Sequence, residues 1–262
     1  MTKKINMKRT FIFLFNLVVI PFALVAQTNI SGTISNNTTL TAANSPYIVT
    51  DHINVNAGVT LTVESGVELR FNSGKYLQVF GTLTANNVTF TANESTNPGF
   101  WPGIYVSYEN NASFGTVTLN NSLVEYAQSL HVRKGTLTLT GNTLLQNFSS
   151  FGLDIYTLGT VAIENTTIRN CAYPVYFRDK GGNGNWTVGE NVMLTGNTKD
   201  YIFIDFRDVT GEFKLPDLGL PYYYNSELRI TETGTLLIDP GVALGYRRHG
   251  KLPHPCQVYV GA

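Results

Sequence analysis

Charge is scarce in this sequence: Asp, Glu, Lys and Arg make up 14% of its 262 residues, against about a quarter in an average soluble domain. With 18 basic and 18 acidic side chains spread along the chain, there is no basic stripe, which argues against nucleic acid as a partner. Cysteine is almost missing. Cys171 and Cys256 are too few for a disulfide scaffold; Cys171, in the strand-like Asn170-Cys171-Ala172, reads as a buried inert thiol, and pairing with Cys256 stays open in an exported chain. Neither His52 nor His131 has a Cys or a second His at ligand spacing, which argues against a zinc centre. Helical periodicity is absent beyond the first two dozen residues, and no apolar run there is long enough to span a bilayer.

What fills the space is Thr, Asn, Ser, Gly and a generous supply of aromatics, with 14 Tyr and 15 Phe. Low charge together with β-branched and aromatic residues favours stacked strands. The first residues have a different character: Lys3, Lys4, Lys8 and Arg9 precede the apolar run Phe11 to Leu24, followed by small Ala26 and polar Gln27. Residues 1–26 therefore read as a secretory signal peptide. Asn16 and Pro21 interrupt the apolar run, and no Cys follows the cleavage point, so neither a retained span nor a lipid anchor is expected. Taking those four basic residues from the 18 leaves 14 against 18 acidic side chains, a mildly acidic mature chain.

One small pattern organises the remainder. An apolar residue, any residue, then another apolar residue recurs at Leu77/Val79, Ile104/Val106, Leu130/Val132, Leu153/Ile155, Val175/Phe177 and Ile202/Ile204, with successive starts 27, 26, 23, 22 and 27 residues apart. That spacing describes a coil with one turn per unit. Gly-Thr followed by an apolar residue opens a second strand at Gly81, Gly115, Gly135 and Gly159, and an Asn precedes a third at Asn87, Asn121, Asn142, Asn165 and Asn191. Asn tolerates the left-handed corner conformation and can hydrogen-bond from one turn to the next.

The expectation is an all-β, right-handed parallel β-helix with three strands per turn and about eight turns, whose first strands start at 53, 77, 104, 130, 153, 175, 202 and 228. Residues 27–44 are expected to be a leader or N-terminal cover, 45–246 the coil, and 247–262 an irregular tail. Residues 220–246 repeat 45–71 at a constant offset of 175, with Pro46/Pro221, Tyr47/Tyr222, Leu61/Leu236 and Leu69/Leu244 identical; this segment continues one coil or starts a second. The tail resembles neither a turn nor an apolar cap, and the natural chain is expected to be longer.

The opening turn, the Trp101-Pro102-Gly103-Ile104 approach to a strand and the Gly-Thr and Asn ladders resemble secreted right-handed β-helix proteins of the pectin-lyase-like superfamily, and more narrowly the surface repeat proteins of Bacteroidetes-type bacteria. The resemblance covers residues 40–246 and implies a fold and an extracellular or cell-surface address. It does not single out an activity, since that superfamily is taken to include polysaccharide lyases, glycosidases and adhesins.

In such a coil the residue between each apolar pair points outward. One column then reads Asn54, Gln78, Tyr105, His131, Asp154, Tyr176, Phe203, Arg229, and its neighbour Phe80, Ser107, Arg133, Tyr156, Arg178, Asp205. Aromatic rings interleaved with hydrogen-bonding and charged groups suit a polysaccharide. Tyr105, His131, Arg133, Asp154, Tyr156, Tyr176 and Arg178 are the candidate ligand-binding residues, and the expected function is carbohydrate binding or adhesion without catalysis. The rival is a lyase or hydrolase with Asp154, Arg178 and His131 as its chemical groups. A hydrolase needs two neighbouring carboxylates and a lyase a low-pKa base, often beside a Ca²⁺ cage; no column supplies such a pair or cage, and no cofactor is implied. A stalk without ligand is the third reading. Trp101 and Trp186 either fasten loops or flank the strip, and Arg178-Asp179 and Arg207-Asp208 are expected to be corner ion pairs.

Overall fold

The computed structural model describes residues 27–108, 112–178, 185–224, 227–246 and 254–255. Residues 1–26, expected to be a signal peptide, lie outside them, as do Asp179, Cys256 and most of the tail. Among the described residues the chain is all-β apart from a single 3-10 turn at Ala42–Asn44, and it winds as a parallel β-solenoid of about nine turns. The coil begins before the expected start at Ser45. Thr28–Ile34 and Thr38–Leu40 pair in parallel with Tyr47–Val55 and Thr60–Val63, so residues 28–40 are part of the coil. No described helix is long and apolar enough to cross a membrane.

The apolar pairs form the inner wall of a first sheet. Ile53, Leu77, Ile104, Leu130 and Leu153 follow one another in register, and each is fully buried. Burying a Leu or Ile side chain contributes roughly 1.5–3 kcal/mol before chain entropy is subtracted, and the stack repeats that gain on every turn. Strands in which Thr alternates with apolar residues make the second sheet, and strands such as Glu68–Phe71, Thr89–Ala92 and Thr143–Gln146 make the third.

The corners explain the Gly and Asn ladders differently. Asn87, Asn121, Asn142, Asn165 and Asn191 all adopt positive φ, between 44° and 66°, and Asn121 Nδ2 donates to Asn87 Oδ1 at 3.3 Å, Asn191 Nδ2 to Asn165 Oδ1 at 2.9 Å. The glycines that open the second strand are required by close backbone approach. A Cβ on Gly135 would stand 2.0 Å from Gly115 O, and one on Gly115 2.2 Å from Val79 O.

The C-terminal turns correct the expected register. The first-sheet strand after Ile202–Asp205 is Tyr222–Tyr224, followed by Leu244–Tyr246. Leu228 does not start it: Arg229–Ile230 pairs with Asp208–Val209 in a separate two-stranded sheet. Arg229 therefore leaves the outward column, and Tyr223 takes its place beside Phe203. The reason lies in the repeat. Thr33↔Asn54, Thr38↔Leu61 and Tyr47↔Leu69 in the opening turns reappear, each shifted by 175 positions, as Asp208↔Arg229, Phe213↔Leu236 and Tyr222↔Leu244. Pairing follows the local repeat, so the first sheet passes at Ile202–Asp205 from one series of strands to another that is out of phase with it.

Candidate functional site

The first sheet's outer column is assembled as its spacing requires. Gln78, Tyr105, His131, Asp154, Tyr176 and Phe203 stand side by side on successive turns. The neighbouring column brings Tyr156 beside Arg178 and Arg178 beside Asp205. Arg133 sits where the register shifts between Val132 and Lys134, a bulge that re-aims a side chain.

Pointing outward does not make the first column exposed. Gln78, His131, Asp154, Tyr176 and Phe203 are buried, because their neighbours lie across them as a second layer. Tyr105 stacks on His131 with ring centroids 4.3 Å apart and planes inclined by 9°, and Tyr176 stacks between Phe151 and Phe203 at 4.3 and 5.2 Å. The Arg133 guanidinium lies 4.8 Å from the Tyr156 ring centroid and 5.6 Å from that of Tyr105; Arg178 lies 4.6 Å from Tyr176 and 5.6 Å from Tyr156. Rings and guanidiniums alternate along the coil axis, each contact contributing about 0.5–1 kcal/mol when partly exposed.

Beneath this layer lies a polar knot. Asp154 Oδ2 is 2.9 Å from His131 Nδ1 and Oδ1 is 3.1 Å from Arg178 Nε, with the Asp154 side chain 2% exposed. A carboxylate can only accept, so His131 Nδ1 is the donor in this contact. Tyr176 OH donates to Asp205 Oδ2 at 2.5 Å. Among the described residues His131 Nε2, Arg133 Nε, Gln78 Oε1 and His52 Nδ1 are buried without hydrogen-bond partners, and all four belong to this face. Each such group costs about 1–3 kcal/mol, and among the described residues that penalty is confined to this face.

Burial is the main reason the Tyr105 phenol is pushed up from 10.0 to about 12, with Tyr108 adding to it and Arg133 opposing. Tyr176 is raised as well, by burial first and then by its bond to Asp205. For Arg178, burial pulls the guanidinium down, but the Coulombic attraction and hydrogen bond of Asp154 outweigh it and the net shift is upward.

Several ring-layer members were not singled out by the alternation pattern. Tyr76 stacks on His52 at 3.8 Å and meets Tyr105 edge-on at 5.5 Å; Phe151 packs near Tyr173 at 5.4 Å; Tyr201 meets Tyr223 edge-on at 4.8 Å. The signal was available: Tyr76, Phe151, Tyr173 and Tyr201 stand one or two residues before the apolar pair of their turn. The tryptophans fasten the coil. Trp101 is fully buried, stacked on Phe71 at 3.9 Å, with Nε1 donating to Glu125 O; Trp186 Nε1 donates to Lys214 O inside the second-sheet wall. Of the expected corner ion pairs, Arg178-Asp179 lies outside the described residues, and Arg207-Asp208 pairs between turns instead, Arg207 with Glu227 and Asp208 with Arg229. Cys171 is buried and burial pushes its thiol up to about 12. Among the described residues no group of three or more His, Cys, Asp or Glu is placed to hold a metal ion.

The fold is thus a parallel β-solenoid with an aromatic and guanidinium ledge along one sheet. No family model, characterised protein or solved structure matches the chain.

Proposed function

We propose that this protein is exported and that its first-sheet face binds an extended polysaccharide without turning it over, in the manner of the carbohydrate-binding members of the pectin-lyase-like β-helices it resembles. The observation that carries the reading is the continuous ledge of half-buried rings, Tyr76, Tyr105, Tyr108, Tyr156 and Tyr173, with Arg133 and Arg178 lying among them. Flat rings offer stacking surface to sugar faces, and guanidiniums offer paired donors to hydroxyls or carboxylates. The ledge follows the coil axis, so it suits a chain of repeating units better than a single small molecule.

The same geometry disfavours turnover. Hydrolysis asks for two carboxylates flanking a bond, whereas Asp154 is buried with both oxygens engaged and Asp205 is tied to Tyr176. A β-eliminating base would need a depressed pKa, and Arg178 is shifted the other way. The competing catalytic reading rests on His131 Nε2, an unpartnered nitrogen on an imidazole whose Nδ1 proton is held by Asp154.

The test is retention on immobilised acidic and neutral polysaccharides, with new unsaturated ends and reducing sugar followed in parallel. Expected is retention on one polymer class, lost in Tyr105→Ala and Arg133→Ala, with no product formed. Product formation abolished by Asp154→Ala overturns the binding-only reading, and absence of retention across the panel overturns binding.

A further inference from the structure

The second sheet presents a different surface. Its outward positions are threonines in two adjacent columns: Thr60, Thr82, Thr116, Thr136 and Thr160 in one, and Thr39, Thr62, Thr84, Thr118 and Thr138 in the other. Four consecutive turns carry Thr-x-Thr in unbroken register, with no bulge between Thr60–Val63, Thr82–Asn86, Gly115–Asn120 and the second-sheet part of Ala127–Thr140. Parallel strands place these side chains about 4.8 Å apart across the sheet and about 6.6 Å apart along it. The result is a rigid two-dimensional lattice of methyl and hydroxyl groups.

Thr is a good strand former, but that preference would act on all three sheets. The first sheet carries rings, and the third carries Glu68, Arg70, Glu125, Gln146 and Arg169 at outward positions. Thr143 and Thr166 elsewhere donate their hydroxyls to backbone carbonyls. Among the described residues the hydroxyls of the two columns make no such bond, and all ten side chains are partly or fully exposed. No charge stands within the columns; Glu64, Lys134 and Glu164 lie at their edges, and exposed Phe114 and Leu158 extend one edge with apolar surface.

We propose that this face adsorbs to ice crystals. Ice is a neutral solid whose surface offers donors and acceptors at fixed spacings, and the two repeats of the threonine lattice approximate the spacing of water molecules on a prism face of hexagonal ice. Charged side chains would hold their own hydration shells against such a surface, and they are absent from the columns. β-Branched threonines are stiff about χ1, so little freedom is lost when the lattice engages, and many weak contacts made together hold a crystal face that no single hydroxyl could. A soluble sugar chain would instead be served by rings, which this face lacks between its edges. The proposal stands apart from the polysaccharide reading because it uses the other sheet.

The full chain, fluorescently labelled, is tested for adsorption to a slowly grown single ice crystal and for shaping and arrest of crystal growth by nanolitre osmometry. Expected is a labelled crystal and faceted growth. Thr118→Tyr and Thr136→Tyr, at the centre of the lattice, bring both to background, the near-isosteric Thr118→Val weakens them several-fold, and Tyr105→Ala leaves them unchanged; circular dichroism verifies the solenoid in each. Unlabelled ice with the folded wild type, full activity in folded Thr118→Tyr, or lattice-dependent binding to crystalline cellulose in place of ice overturns the proposal.

Discussion

Asp154 accepts from His131 on one side and from Arg178 on the other, at 2.9 and 3.1 Å, while only 2% of its side chain meets solvent. One carboxylate thus ties the buried column to the exposed guanidinium layer, and removing it strands an imidazole N–H and a cation together. Asp154→Ala is expected to destabilise the chain by about 3 kcal/mol, the scale for breaking a buried pair from one side. Arg178→Gln, whose partner retains the imidazole, is expected to cost clearly less. Urea denaturation of both variants measures the difference, and equal losses would mean that the His131 contact carries no weight.

Gly135 is held by contact with the turn before it. Its missing Cβ would lie 2.0 Å from Gly115 O, and its φ is 124°, so Gly135→Ala is expected to lower stability by more than about 2 kcal/mol through backbone displacement. Gly58 gives the contrast, with φ of 75° but open space for 4 Å around the place a Cβ would occupy. Gly58→Ala therefore suffers only the left-handed penalty of about 1–2 kcal/mol. Thermal melts of the two variants should rank them in that order.

The corner asparagines make a third case. Asn142 has φ of 66°, so Asn142→Gly is expected to be close to neutral, whereas Asn142→Val should cost about 1–2 kcal/mol or more because a β-branched residue resists that region. Asn121→Gly also removes the Asn121–Asn87 hydrogen bond and should fall between them. A reversed ranking by chemical denaturation would remove conformation as the reason for the ladder.

Tyrosine ionisation links the ledge to alkaline pH. Tyr105, Tyr176 and Tyr222 are all raised above 10.0, chiefly by burial. A phenol whose folded pKa lies above its unfolded value contributes stability that is fully present below about pH 10 and is lost as pH rises through the folded value; for Tyr105 that window runs from 10.0 to about 12. Ultraviolet titration should therefore show a late-ionising group of tyrosines, and Tyr105→Phe should flatten the stability loss across that window.

The first-sheet column from Gln78 to Phe203 was legible because alternation is a property of the strand itself: once Leu77/Val79 and Ile202/Ile204 face inward, the residues between them face outward. The cover over that column did not follow from alternation: Tyr76, Phe151 and Tyr173 recur one or two residues before their apolar pairs, but at strand starts and corners alternation does not fix which way a side chain turns. The same limit explains Leu228. Its spacing from Ile202 suits the coil, but spacing cannot distinguish which of three sheets a strand joins, and the repeat at Tyr222 takes the place first.

By itself the sequence determined the solenoid, its three strands per turn and the positive-φ Asn corners, because each follows from neighbours along the chain and from steric limits that act residue by residue. Tertiary structure alone decided that His131 and Asp154 lie under a roof of rings, that Trp101 belongs to the core, and that the last turns run out of phase with the rest. Those outcomes depend on which side chains meet between turns, and burial of that kind is settled only when the turns stack.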